Sequence, residues 1–291
     1  MQQTFQDISN LPEVSKIIEM ALVEDIGDGD HSSLSCIDQN HQAKAKLIIK
    51  DEGVLAGINI AEKILLLHDP NCQIVKLKQD GDFVKHGDIA LTAFGNAQCL
   101  LKSERLLLNI MQRLSGIATT TYKASSLIKE YRTKVLDTRK TTPNLRILEK
   151  WAVTVGGGQN HRIGLYDMIM LKDNHVDVSG GIEQAITKAK KYVNDTKKSL
   201  EIEIETRNLE EVKHALNQLP IKRIMLDNFS PEMVKQAVEL INNRCETEAS
   251  GGITLDNIVD YAKAGIDFIS LGMLTHSVKS MDISFKIELQ K

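Results

Sequence analysis

Long apolar runs are missing from this 291-residue sequence: none approaches the roughly 18 residues that span a bilayer. A surplus of one charge is missing too, with 36 Lys+Arg against 39 Asp+Glu and a formal net charge of -3. General nucleic-acid binders carry a basic excess, so neither nucleic acid nor membrane is an expected partner. The four cysteines, Cys36, Cys72, Cys99 and Cys245, form no CxxC pair and have no histidine at zinc-ligand spacing. They are expected as free, buried thiols of a reducing compartment, which places the chain in the cytoplasm. The opening stretch MQQTFQDISNLPEV has neither a basic nor an apolar segment, so no secretory signal is expected.

What is present is the balance of an ordinary globular protein, 42% hydrophobic and 26% charged. The length allows one large barrel or two smaller domains. Residues 12–24 carry Val14, Ile17, Ile18, Ala21 and Leu22 at helical spacing, and the Gly/Asp-rich stretch 24–33 ends that helix. Residues 43–96 alternate in short segments between Gly/Asp turns and read as β-rich, with one helix near Ile60 to His68. A long helix follows from about Leu100 to Tyr131, with an expected interruption at Ser115-Gly116.

From Lys134 six short apolar runs appear, marked by Val135, Ile169, Ile202, Ile224, Thr247 and Ile269, with steps of 34, 33, 22, 23 and 22 residues. A period near 22 is one strand, one helix and their loops, so the fold class is α/β with a parallel sheet. Six such units in series favour a barrel. Every run is apolar at its start and polar at its end: Asp137-Thr138-Arg139-Lys140, Lys172-Asp173-Asn174, Glu203 and Glu205, Asp227-Asn228, Ser250-Gly251-Gly252, Gly272. In a barrel those ends open on one face, where active sites are built.

Between Arg139 and His175 lie six basic side chains, among them Arg139, Lys140, Arg162 and Lys172, against three acids. Guanidinium forks and ammonium groups gathered around the glycine-flanked segment 156–164 ask for a ligand with several negative charges. Glu205 and Asp227 end successive strands. They either hold Mg²⁺ against substrate phosphates, face a positive charge that develops on a sugar carbon, or pair with nearby Lys222 or Arg223. The late loops Ser250-Gly251-Gly252 and Leu271-Gly272-Met273 match the common phosphate-binding position of barrels.

The block LDTRKTTPNLRILEKWAVTVGGGQNHRIGLYDMIMLKDNH (136–175) resembles the signature of the quinolinate phosphoribosyltransferase family. The likeness runs through SERLLLNIMQRLSGIAT, EIEIET, IMLDNFSPE and EASGGI, over about residues 12–285. It implies an N-terminal α/β sandwich (1–115), an incomplete seven-stranded α/β barrel (116–274) and a C-terminal segment (275–291) that returns to the first domain. The implied reaction moves phosphoribose from phosphoribosyl pyrophosphate to quinolinate with loss of CO₂, in NAD biosynthesis. Mg²⁺ would accompany the pyrophosphate, and no prosthetic group is needed.

By the same resemblance Arg139, His161, Arg162 and Lys172 hold the acid's carboxylates, with Thr138 beside them and Lys140 between the acid and phosphate subsites. Lys140, Glu205 and Asp227 are the catalytic candidates, and Glu205 and Asp227 also the metal candidates. Ser250, Gly251, Gly252, Leu271, Gly272 and Met273 cradle the 5′-phosphate. Arg105 reaches the partner's site in a homodimer. The alternatives are a molybdenum-transport-associated paralogue with a different anion, a Schiff-base aldolase using Lys140 or Lys172, and a catalytically dead phosphate-binding or scaffold protein.

Overall fold

The computed structural model describes residues 6–289; the ends of the chain, including part of the stretch read for a leader, lie outside them. In chain order the elements begin with α1 (Pro12–Ile26), α2 (His31–Cys36), β1 (Gln42–Ile49), β2 (Gly53–Val54) and α3 (Ile58–His68). Next come β3 (Gln73–Lys76), β4 (Phe83–Val84), β5 (Ile89–Asn96), α4 (Ala97–Leu127), β6 (Lys134–Leu136) and α5 (Arg146–Val155). The βα series then runs β7 (Ile169–Leu171), α6 (Asp173–Ser179), α7 (Ile182–Thr196), β8 (Ile202–Thr206), α8 (Leu209–Leu216), β9 (Arg223–Asp227) and α9 (Pro231–Ile241). It closes with β10 (Glu246–Ser250), α10 (Ile258–Lys263), β11 (Phe268–Ser270), α11 (Met273–His276) and β12 (Ile283–Leu289).

Two compact units result. The first comprises the chain up to Tyr122, Thr141–Gly157 and the chain from Met273; the second comprises Lys123–Lys140 and Gly158–Gly272. In the first, an antiparallel sheet has the order β12-β1-β5-β3, and a two-stranded pair joins β2 to β4. Period-two patterning builds it: Ala43, Ala45, Leu47 and Ile49 of β1 are buried, and the intervening side chains are more open. Each fully buried Leu or Ile there contributes roughly 1.5–3 kcal/mol. Strand β12 pairs along β1 from Ala43↔Leu289 to Ile49↔Ile283, so the end of the chain completes this sheet.

Helix α4 is continuous through Ser115-Gly116, where an interruption was expected. Close packing is the reason for both residues. The Ser115 hydroxyl meets the backbone of Ala56, and a Cβ on Gly116 would stand 2.3 Å from the Lys279 carbonyl. The 24–33 stretch also differs from a plain break, because it starts α2: Asp30 caps that helix, accepting from Ser33 N–H at 3.2 Å and from the Ser33 hydroxyl. Within this unit Glu149 is fully buried, accepting from Arg113 Nε at 2.7 Å and from Thr142 N–H at 3.0 Å. The cysteines are unpaired; of the four expected to be buried, Cys72 is, Cys99 and Cys245 are half-buried, and Cys36 is exposed.

The second unit is a parallel sheet ordered β6-β11-β10-β9-β8-β7. Six strands appear among the described residues, against an expected seven. Strands β6 and β7, consecutive in the chain, are not paired with each other, so the barrel is open between them. The seventh position shrinks to one bridge, Leu136↔Gln159, in which Gln159 N–H donates to the Val135 carbonyl and Asp137 N–H to the Gln159 carbonyl. The glycine-rich segment thus lines the open edge of the barrel. All five residues of β8 are buried: Ile202 and Ile204 lie against α7 and α8, while Glu203 and Glu205 alternate to the interior. No helix among the described residues is long and apolar enough to cross a membrane.

Candidate active site

Strand β6 ends at Leu136 and hands the chain to Asp137, which is fully buried. Its Oδ1 accepts from His161 N–H at 2.9 Å, pinning the glycine-rich segment to the strand end. Thr138 Oγ1 accepts from Lys140 N–H at 3.0 Å, which turns the chain so that Arg139 is half-buried and Lys140 exposed. Arg162 comes from the facing segment and donates from Nη1 to the Met168 carbonyl at 3.2 Å. Burial, and then the charge of Arg139, hold the Arg162 guanidinium below its ordinary pKa. A half-buried guanidinium beside a second one favours an anion at that place.

Lys172 stands at the end of β7, where its backbone N–H donates to His175 Nδ1 at 3.0 Å and opens α6. Its Nζ lies 4.0 Å from Glu205 Oε2. Glu205 is 9% exposed at the end of β8, and burial, then the neighbouring carboxylate of Asp227, raises its pKa. Lys222 and Arg223 do not neutralise these two acids. Lys222 pairs with Glu201 and Glu246, and Arg223 with Glu246, Glu248 and Glu203. Two adjacent carboxylates that repel one another, with only oxygen donors, suit a hard divalent cation.

At the end of β10, Ser250 accepts at its carbonyl from Asn228 N–H at 2.8 Å. Gly251 and Gly252 follow with φ of +92° and +63°, and a Cβ on Gly251 would meet Asn228 Oδ1 at 2.2 Å. The turn is therefore closed to side chains and exposes backbone to a ligand. Leu271 N–H donates to the Leu136 carbonyl at 3.0 Å and seats Gly272 beside β6. Met273 begins α11 and belongs to the first unit, as does Arg105, which is exposed on α4.

Of the charged side chains inside the barrel, His161 and Glu203 were named from the sequence, whereas Arg223 and Glu248 were not picked out as part of the site. His161 is 8% exposed, and its Nε2 lies 3.1 Å from Glu203 Oε2 and 3.4 Å from Glu248 Oε2. Its Nδ1 accepts from Arg162 N–H at 2.7 Å, so both ring nitrogens are turned to protein rather than to open space. Arg223 Nη1 lies 2.7 Å from Glu248 Oε2, with its guanidinium 4.2 Å over the Phe268 ring. The readable signal was alternation: Glu246 and Glu248, like Glu203 and Glu205, sit at i and i+2 in strands buried on both sides.

Burial works against charge on His161, yet the carboxylates of Glu203 and Glu248 outweigh it and raise its pKa to about 9. The Arg162 N–H opposes them, since it needs an unprotonated Nδ1. A raised imidazole pKa adds stability that is fully present below the unfolded value near 6.5 and is lost as pH rises through 9. Denaturant unfolding of wild type and His161→Gln should therefore show a stability difference that narrows by up to about 3 kcal/mol over that window. A difference that does not change with pH would contradict it.

An incomplete α/β barrel with a cationic mouth, two neighbouring carboxylates and a glycine turn at the late strands defines an enzyme for phosphorylated, anionic reactants. Models of the quinolinate phosphoribosyl transferase N-terminal and C-terminal domains match residues 30–115 and 117–286. The chain belongs to the quinolinate phosphoribosyltransferase family. It is 43% identical over 293 residues to the chloroplastic nicotinate-nucleotide pyrophosphorylase (carboxylating) of Oryza sativa subsp. japonica, covering 96% of this chain and 78% of that one. It is also 43% identical to the probable nicotinate-nucleotide pyrophosphorylase (carboxylating) of Bacillus subtilis, covering 95% and 94%. The crystal structure of NadC from Streptococcus pyogenes superposes with a TM-score of 0.91 at 39% identity, over 96% of this chain and 98% of that one. The nicotinate-nucleotide pyrophosphorylase from Francisella tularensis gives 0.90 at 38%, over 98% and 100%.

Proposed function

We infer that this chain joins quinolinate to the phosphoribosyl group of phosphoribosyl pyrophosphate, releasing pyrophosphate and CO₂ and giving nicotinate mononucleotide for NAD biosynthesis. The observation that carries the reading is Arg162, half-buried in the mouth with Arg139 nearby: burial, and then the charge of Arg139, weigh against its guanidinium, and a dicarboxylate bound there favours it. Quinolinate carries two adjacent carboxylates, and Arg139, Arg162 and Lys172 offer forks and a point charge to hold them. His161 supports this set from below. Thr138 shapes the turn, and Lys140 lies between acid and phosphate.

Attack of the ring nitrogen on the anomeric carbon breaks its bond to pyrophosphate and leaves positive charge on the sugar, which Glu205 and Asp227 stabilise. The ring nitrogen becomes a pyridinium, whose positive charge stabilises the electron pair left on the adjacent ring carbon when its carboxylate departs as CO₂, and that carbon then gains a proton. No residue acts as a nucleophile and no prosthetic group is required. Glu205 and Asp227 would hold Mg²⁺ together with pyrophosphate oxygens, and the ion would neutralise the leaving group's charge. Backbone N–H groups of Ser250 to Gly252 and Leu271 to Met273 receive the 5′-phosphate. The free thiols accord with a reducing cytoplasm.

Arg105, exposed on α4, completes the site of a second copy in a homodimer. Arg105→Ala and Lys172→Ala chains, each inactive alone, are therefore expected to recover up to about a quarter of wild-type activity after subunit exchange, because half the dimers carry one intact site. Exchanged mixtures that stay inactive would remove the shared site. Nicotinate supplied in place of quinolinate is expected to give no product, and turnover of nicotinate would overturn the substrate assignment.

A further inference from the structure

Beneath the mouth, a chain of contacts runs wholly inside the second unit. Arg223 Nη1 lies 2.7 Å from Glu248 Oε2 and 3.7 Å from Glu203 Oε2. Both carboxylates face His161 Nε2, at 3.4 Å and 3.1 Å. At the far side of the ring, Nδ1 meets the backbone N–H of Arg162 at 2.7 Å. Glu203 and Glu248 are fully buried, and Glu246 closes the other end by accepting from Arg223 Nη2 at 2.8 Å. The ring atom and carboxylate oxygens of His161, Glu203 and Glu248 lie within 4.8 Å of one another, a spacing that a metal ion could use. Arg223 already supplies the positive charge there, so the group is an ion network. Glu203 and Glu248 have no exposed surface, and burying such charge is costly unless it orders something.

We propose that Glu248 and Arg223 are positioning residues for acid binding, acting through His161 to fix the peptide that carries Arg162. The proposal rests on the reading that Arg162 receives the acid's carboxylate. In either charge state of the ring, Nε2–H is the end that the carboxylates hold, so they set the ring plane. The ring plane sets where the Arg162 N–H is caught, and Asp137, accepting from His161 N–H at 2.9 Å, fixes the other side of the same peptide segment. Without the anchor, the hydrogen bond to the Met168 carbonyl is the one left to Arg162 among the described residues. A guanidinium that must be ordered on binding costs affinity for the acid and not for the sugar phosphate.

Glu248→Met keeps the length of the side chain and removes its acceptors, while Glu248→Gln restores one oxygen able to meet both Arg223 and His161. Steady-state kinetics should show KM for quinolinate raised about tenfold in the Met variant, with kcat and KM for phosphoribosyl pyrophosphate within about twofold of wild type, and Gln close to wild type. A Met variant with unchanged KM for quinolinate, or with both KM values raised alike, would overturn the proposal. Should the Met variant fail to melt cooperatively, Arg223→Lys, which keeps the charge but not the fork, is read for the same split. Independently of turnover, the His161 Nε2–H proton resonance, assigned by its loss in His161→Asn, should move upfield in the weakened variant. An unmoved resonance refutes the network, whereas a moved resonance in a protein that does not use quinolinate refutes only the substrate assignment.

Discussion

Replacing Arg162 with alanine should lower kcat/KM for quinolinate by about a thousandfold. Two charge-assisted hydrogen bonds to a carboxylate are each worth roughly 1.5–3 kcal/mol, and about 4 kcal/mol lost is three factors of ten. The geometry argues for the upper range, because Arg162 makes no ion pair with a carboxylate among the described residues and its charge is opposed by burial and by Arg139. The fold should be undisturbed or slightly stabilised, since the substitution relieves that repulsion. Steady-state kinetics with each substrate varied in turn check it. A loss confined to phosphoribosyl pyrophosphate would move Arg162 out of the acid subsite.

The second large effect is expected at Gly251. Its φ of +92° lies where L side chains rarely sit, at about 1–2 kcal/mol. A Cβ there also overlaps Asn228, at 2.2 Å from Oδ1 and 3.0 Å from the backbone nitrogen. Asn228 cannot give way freely, because its Nδ2 donates to Asp227 Oδ2 at 2.6 Å and its N–H to the Ser250 carbonyl. Displacing that packed turn adds about 1–3 kcal/mol. Gly251→Ala should therefore reduce kcat/KM for phosphoribosyl pyrophosphate by at least about a hundredfold and leave quinolinate binding within a few fold. Equal kinetics with wild type would show that this turn does not hold the phosphate.

The sequence made the strands and the mouth legible because each βα unit repeats one arrangement: apolar start, polar end. Asp137 to Lys140, Lys172, Glu205, Asp227 and Ser250 to Gly252 all lie at or just past strand ends of the second unit. Hidden from it were features set by partners distant in the chain. The missing strand became visible only when Gln159 bridged Leu136, and the continuity of α4 only when Lys279 packed on Gly116. The same holds for His161. The family resemblance implied a carboxylate-binding role for it, and its ring contacts come from Glu203 and Glu248, 42 and 87 positions further on. Neither spacing nor composition reports which oxygen faces an imidazole across a barrel.

The central claim is that one site couples glycosyl transfer to decarboxylation of quinolinate. Carboxyl-labelled quinolinate incubated with the purified protein, phosphoribosyl pyrophosphate and Mg²⁺ measures it directly. One CO₂ is expected for each nicotinate mononucleotide formed, with none when either co-substrate is withheld or the metal is chelated. CO₂ released without phosphoribosyl pyrophosphate, or a folded protein that releases none with all three present, would contradict the account.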